Sequence, residues 1–231
     1  MCGRFTNRLS EHTIRAHFQV ARLPPEFHPR YNIAPGQEAL AILGPWGAHE
    51  ARLLRWGLIP AWARDPAIGF NTINARAETA HRLPAFRAAF RQRRCLIPAD
   101  GFYEWRRDAE GKTPFWSHLA GEQPFAFAGL WEEWAPPDGG PPLGTFTILT
   151  TEAAEPVRPL HPRMPVILPP EHYARWLDPA VQDPALLQPL LRPAPALVQA
   201  LQARRVSRLV NSPRNDSPAC LAPLAPDPGP G

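Results

Sequence analysis

Residues 95–119 read CLIPADGFYEWRRDAEGKTPFWSHL, and this stretch decides the fold class. Aromatic and β-branched residues fill Cys95–Ile97, Gly101–Arg107 and Pro114–Leu119, three runs of strand length. The link Asp108-Ala109-Glu110-Gly111 has turn composition. The same pattern continues downstream through Phe125–Trp131, Thr145–Thr151 and Pro165–Leu168, with turn residues at Pro136-Pro137-Asp138-Gly139-Gly140. Upstream, Glu38–Leu43 and Glu50–Gly57 flank Gly44-Pro45-Trp46-Gly47 as a hairpin, and Tyr31–Gly36 ends an extended piece in a turn. Helical signals are few. Ser10 caps a predicted helix over Ser10–Val20, with Ile14 and Phe18 on one face. A second is predicted over Pro84–Arg94, with Phe86 and Phe90 sharing a face, and short helices start near Glu171 and Pro184. Many closely spaced strands with few helices predict an α+β domain: an antiparallel, partly closed, barrel-like sheet with flanking helices.

Composition narrows the function. A chain of 231 residues, 44% hydrophobic and 20% charged, has the make-up of a globular protein that buries a core. Its net charge of +4 is a mild bias towards polyanions. Lys112 is the only lysine, so the basic surface is arginine, suited to bidentate phosphate contacts. Cys2, Cys95 and Cys220 are odd in number and far apart, which indicates neither a disulfide framework nor a zinc knuckle. No His-Glu-x-x-His, Gly-x-Ser-x-Gly, phosphate loop or dinucleotide fingerprint is present, so no metal and no cofactor is expected. With neither an apolar signal core nor a run of membrane-spanning length, the expected location is the cytosol. The 32 prolines gather in connections and in the last third, and residues from Leu221 onward have little to bury.

The chemistry begins at the second residue. Met1 precedes a small side chain and is a substrate for methionine aminopeptidase. Its removal would leave Cys2 with an α-amine and a thiol on one residue. Those groups titrate near ~7.7–8.0 and ~8.5 in a free peptide, so both are partly nucleophilic at neutral pH. Glu104 lies between Tyr103 and Trp105, where desolvation would raise its pKa and fit it for general acid–base work; the plain alternative is an outward-facing strand Glu. His161, in a rigid loop between Pro159 and Pro162, is either a proton shuttle or a surface histidine. Asn74 and Arg76 share a side of an extended piece, to hold a phosphate or sugar hydroxyl or to cap a helix. Trp56 and Trp62 are core residues unless exposed, when a tryptophan becomes a stacking platform for an unpaired base.

Taken in order, six segments resemble the SRAP family, whose members sense abasic sites in single-stranded DNA and crosslink to them. They are Met1–Phe5, Tyr31–Gly36, Trp56–Pro60, Ile73–Thr79, Pro98–Trp105 and His161–Pro165, with a weaker echo at Val206–Asn211. The resemblance implies one SRAP-like domain, taken over residues 1–221, and composition adds the expectation of a disordered Pro-rich tail at 222–231. It implies a catalytic set of Cys2, Asn74, Glu104 and His161, and DNA contacts at Arg4, Trp62, Arg76 and Thr150. It also implies a single-stranded DNA partner carrying abasic sites and association with the nucleoid when bound to DNA; the expected state is a monomer, and Met1 is expected to be removed by an aminopeptidase or by the protein itself. Ala63 departs from the pattern where some relatives carry a second aromatic, which bears on base stacking and not on the chemistry. The implied reaction joins the Cys2 amine, then its thiol, to the abasic aldehyde as a five-membered thiazolidine. Two other classes remain open on the residues alone: an N-terminal-Cys amidohydrolase or peptidase, and a non-covalent single-strand binder.

Overall fold

The computed structural model describes residues 2–108 and 111–224. Ala109 and Glu110 of the expected turn, and residues 225–231 of the expected tail, lie outside the described residues. The first half of the chain contributes β1 (Phe5–Asn7), α1 (Glu11–Phe18), β2 (Arg30–Ile33), β3 (Glu38–Leu43), β4 (Glu50–Trp56), β5 (Asn74–Arg76), α2 (Ala77–Ala80) and α3 (Arg87–Gln92). The central strands follow: β6 (Arg94–Ala99), β7 (Gly101–Asp108), β8 (Gly111–Leu119), β9 (Phe125–Trp134) and β10 (Leu143–Glu152). The last part adds β11 (Arg163–Pro165), β12 (Ile167–Leu168), α4 (Tyr173–Leu177), α5 (Pro184–Leu187), α6 (Pro195–Ala200) and β13 (Leu201–Arg205).

β4, β3, β6, β9 and β10 are neighbours in that order, and β10 pairs with both β9 and β4, which closes the ring. β5 and β11 also lie along β10, and β12 along β9. A second, antiparallel sheet runs β13-β8-β7-β1-β2. The α+β, barrel-like reading therefore stands, with one correction: the pairing is mixed, because β10 runs parallel to β4 and to β5. Both parallel pairs join segments far apart in sequence, as a parallel connection requires.

Strands β3, β6 and most of β9 are covered on both faces, which is why they read as near-continuous apolar runs, whereas β4 leaves Glu50 exposed and Arg52 and Arg55 half-buried. On one face Leu40, Ile42, Leu96, Ala128 and Leu130 pack with Ile14, Phe18, Phe90 and Trp176 from the helices. On the other, Ala39, Ala41, Leu43, Trp56, Ile97, Phe127 and Phe146 pack with Cys2 and with Phe5 and Phe102 from the second sheet. The first helix forms as its sequence indicates: Ser10 Oγ accepts from Thr13 N at 3.0 Å, and Ile14 and Phe18 are buried.

Four departures have physical causes. The helix predicted over Pro84–Arg94 is only Arg87–Gln92. Arg94 leaves it to begin β6, and its buried guanidinium donates to the carbonyls of Phe90 (2.7 Å), Arg91 (2.6 Å), Trp176 (2.5 Å) and Asp178. Burial lowers the pKa of Arg94 to about 10. The predicted strand Pro165–Leu168 breaks at Val166, whose N–H bonds Leu149 O on β10 while its carbonyl accepts from Ala128 on β9. β13, LQARR, carries no strand pattern in sequence; it takes its register from the β8 edge, Leu201 opposite Leu119. Leu221, expected to start a loose tail, is buried instead with Cys220, while Ala222 O accepts from Ser207 N and Pro223 bridges Val206.

Gly101 shows how tightly the second sheet is packed. A Cβ there would overlap the indole of Trp116, against which the guanidiniums of Arg8 and Arg204 also pack, with Cζ 4.7 and 4.9 Å from its ring centroid. Gly101→Ala is expected to lower stability by about 1–3 kcal/mol through overpacking. A urea melt checks this, and an unchanged midpoint would show that the indole has room to shift.

Candidate active site

The second sheet carries the start of the chain into the protein. Phe5 lies opposite Phe102, and Tyr103 N donates to Arg4 O at 2.9 Å, so the first residues run beside Gly101–Trp105. Alternation along β7 then puts Phe102 and Glu104 on one face and Tyr103 and Trp105 on the other. Phe102 packs in the cluster that holds Cys2 and Phe5, and Tyr103 packs with Trp116, Val206 and Val210. Both faces are covered, so Glu104 is no outward strand residue: it is 4% exposed. Burial pushes its carboxyl up to about 7. Cys2 is fully buried. Burial raises its thiol well above the ordinary value, and the neighbouring Glu104 charge raises it further. The expectation of a partly ionised thiol, drawn from free-peptide values, does not survive folding.

Strand β10 brings up the remaining groups. Along one edge β5 sets Asn74 opposite Ile148 and Arg76 opposite Thr150. Asn74 Nδ2 donates to Cys2 O at 2.7 Å, tying two residues far apart in sequence. Its Oδ1 is buried and has no partner among the described residues. Along the other edge β11 sets Arg163 opposite Glu152. His161 lies just before it, in a turn where His161 N donates to Val157 O at 3.0 Å. Its ring is anchored through Nδ1, 3.0 Å from both the N and the O of Arg163. Partial burial is the main cause that lowers the His161 pKa, which favours the neutral imidazole.

The four residues expected at phosphates and bases divide. The Arg76 side chain is exposed. Trp62 is 62% exposed, whereas Trp56 is buried and donates through Nε1 to Ile73 O at 2.8 Å. Arg4 is half-buried: its Nη1 donates to Asn32 Oδ1 (2.8 Å) and Val210 O (2.7 Å), and its Cζ stands 5.7 Å from the Trp105 ring centroid. Thr150 is fully buried, with its hydroxyl towards Ala75 O at 3.5 Å.

Three further side chains carry no assignment from sequence. Phe70, in the same β4–β5 connection as Trp62, is 66% exposed. That connection is drawn together where Gly57, at φ +128°, faces Gly69 so closely that an added Cβ would sit 2.6 Å from the Gly69 carbonyl oxygen. A large aromatic beside Gly69 and Asn71 is the available signal for Phe70. Arg163 and Glu78 form a bidentate pair at 2.8 and 2.9 Å. Both stand inside the motifs quoted above, but nothing in their spacing shows that they meet.

The profile of the family described as SOS response associated peptidase (SRAP) matches residues 1–213. The chain is 47% identical over 224 residues to the abasic site processing protein YoqW of Bacillus subtilis (strain 168), covering 96% of this chain and 99% of that protein. It is 33% identical over 266 residues to the abasic site processing protein HMCES of Gallus gallus, covering 97% of this chain and 78% of that one. A crystal structure of a protein from Bacteroides thetaiotaomicron superposes with a TM-score of 0.84 at 25% identity, over 97% of this chain and all of the other. Fold, motif order and these likenesses agree: the chain belongs to the SRAP family.

Proposed function

We propose that this protein processes abasic sites in single-stranded DNA by joining itself to them through Cys2 once Met1 has been removed. The observation that carries the reading is the Asn74–Cys2–Glu104 arrangement: the Cys2 carbonyl is held by Asn74 at 2.7 Å, and its thiol lies in the field of a buried carboxyl that titrates near neutrality, at about 7.

The steps follow from these groups. An abasic deoxyribose opens to an aldehyde at C1′. The Cys2 amine adds to C1′, the carbinolamine loses water, and an imine forms. The thiol then adds across the C=N bond: sulfur joins C1′ and the thiol proton passes to nitrogen, closing a ring of N, Cα, Cβ, S and C1′. A buried thiol with a raised pKa needs a base for that step, and Glu104, close to half-ionised at neutral pH, acts as acid for ring opening and as base for closure. His161, neutral and held through Nδ1, is its partner in proton transfer. The buried Oδ1 of Asn74 accepts from the amine or a sugar hydroxyl. Closure within one residue has an effective molarity on the order of 10⁵ M or more, which a lone lysine amine lacks.

Arg76 grips a flanking phosphate and Trp62 stacks on an unpaired base, since both side chains are exposed. Arg4 and Thr150 take bracing parts from inside: Arg4 against Asn32 and Trp105, Thr150 beneath Arg163. The test is denaturing electrophoresis of the purified protein with a single-stranded oligonucleotide carrying one abasic site. A shifted band that survives boiling in detergent is expected, with an intact mass equal to protein lacking Met1 plus DNA less one water. No such band, or an adduct of protein that retains Met1, would overturn the reading.

A further inference from the structure

Glu78 has no part in the reaction described above, yet its carboxylate forms a two-bonded ion pair with Arg163, the residue whose main chain meets the His161 ring. Its two carboxylate oxygens accept from Arg163 Nη1 and Nη2 at 2.8 and 2.9 Å. Nη2 also donates to Thr150 O at 2.5 Å. The Arg163 side chain is only 18% exposed, whereas that of Glu78 is 50% exposed. One guanidinium thus joins three segments: α2, which follows Arg76, the end of β10, and β11. The main chain of this same Arg163 anchors His161 Nδ1. Arg163 in turn holds the Glu78 carboxyl below the usual glutamate range, so the pair is charged at neutral pH.

Resting on the crosslinking function proposed above, we propose that Glu78 is a positioning residue: its carboxylate fixes and neutralises the Arg163 guanidinium, and through Arg163 it braces the His161 turn against β10. A bidentate fork fixes the guanidinium in plane as well as in distance, which a single contact does not. The carboxylate also offsets a positive charge that would otherwise sit unbalanced beside the imidazole. Removing it has two consequences of opposite sign. The cation, released from its partner, becomes available to DNA phosphate, so binding does not weaken. The His161 turn loses a brace, so proton transfer slows.

The experiment compares wild type, Glu78→Gln and Glu78→Asp, and separates binding from chemistry. Binding is read by fluorescence anisotropy with a strand carrying tetrahydrofuran, an abasic analogue that has no aldehyde. Chemistry is read as the crosslinking rate at saturating abasic strand. For Glu78→Gln the rate at saturation is expected to fall by about ten- to a hundredfold, the upper end being the cost of a misplacement on the order of 1 Å. Affinity for the unreactive strand should stay the same or tighten, and the slope of log affinity against log salt should steepen by about 0.7, one added phosphate contact on a single strand. Glu78→Asp, with its charge on a shorter arm, should restore the wild-type salt slope and part of the rate. An unchanged saturated rate in Glu78→Gln overturns the proposal. So does a joint fall of rate, affinity and melting temperature, which marks a purely structural role. Absence of crosslinking by the wild type would instead overturn the function on which the proposal rests, a distinct result.

Discussion

Cys2→Ala protein is expected to leave no heat-stable joint with abasic single-stranded DNA, a loss of at least about a thousandfold in crosslink yield, as for removal of a covalent nucleophile. The variant separates nitrogen from sulfur. Alanine in second place is small enough for Met1 still to be removed, so an α-amine remains and an imine can still form. That imine has no neighbouring thiol to close on it and reverts in water. Borohydride, which reduces an imine to a stable amine, should therefore recover a shifted band for Cys2→Ala, and the unreduced sample should show none. Cys2 is fully buried with a side chain little larger than alanine's, so the fold tolerates the change. An unreduced, boiling-resistant band from Cys2→Ala would disprove ring closure through sulfur.

The second large effect belongs to Glu104→Gln. The substitution keeps shape and removes the proton-carrying group, and the crosslinking rate is expected to fall by about 10²–10⁴. It should also remove an inflection from the pH profile. With its carboxyl at about 7, the wild-type rate bends near neutrality, where the acid and base forms of Glu104 exchange. The Gln variant should lack that bend. Stability supplies an independent sign. The carboxyl titrates near 4.5 when unfolded and about 7 when folded, so the native state holds the proton more tightly. Ionisation therefore opposes folding. The penalty is absent below about pH 4.5, grows from there to pH 7, and stays constant above. Across that window it rises by at most roughly 1.4 kcal/mol for each step of one in pH. Melting temperatures at pH 5 and pH 8 should show Glu104→Gln gaining on wild type at the higher pH. A gap that does not widen between the two would mean that Glu104 is solvated after all.

How far the sequence reveals this molecule depends on what each residue reports. Strand pattern marks β3, β6 and most of β9 because their side chains pack on both faces, while β4 and β8 are marked by their apolar and aromatic residues although each begins exposed. It misses β13, whose pairing depends on the exposed edge of β8, a property of another segment. It over-extends α3, because a buried arginine that collects four carbonyls looks in sequence like any helical arginine. The candidate site divides in the same way. Residues chosen for their own chemistry, Cys2 and Glu104, are found buried and close enough for one to shift the other's pKa. Residues that matter through a partner, Glu78 and Arg163, need the β10–β11 pairing before their meeting is visible. Exposure also reverses simple expectations: Arg4 turns inward and Phe70 outward.

The second sheet joins segments far apart in the chain, since β1 and β13 belong to one five-stranded layer and Arg4 reaches the Val210 carbonyl. A ribosome delivers these pieces far apart in time. While the segment from β13 onward is still in the exit tunnel, the layer lacks an edge strand and Arg4 lacks one of its acceptors. Long-range pairing of this kind forms late. The surroundings of Cys2 are therefore completed only after the segment through Val210 has left the tunnel, and until then the cysteine travels without the finished second sheet beside it.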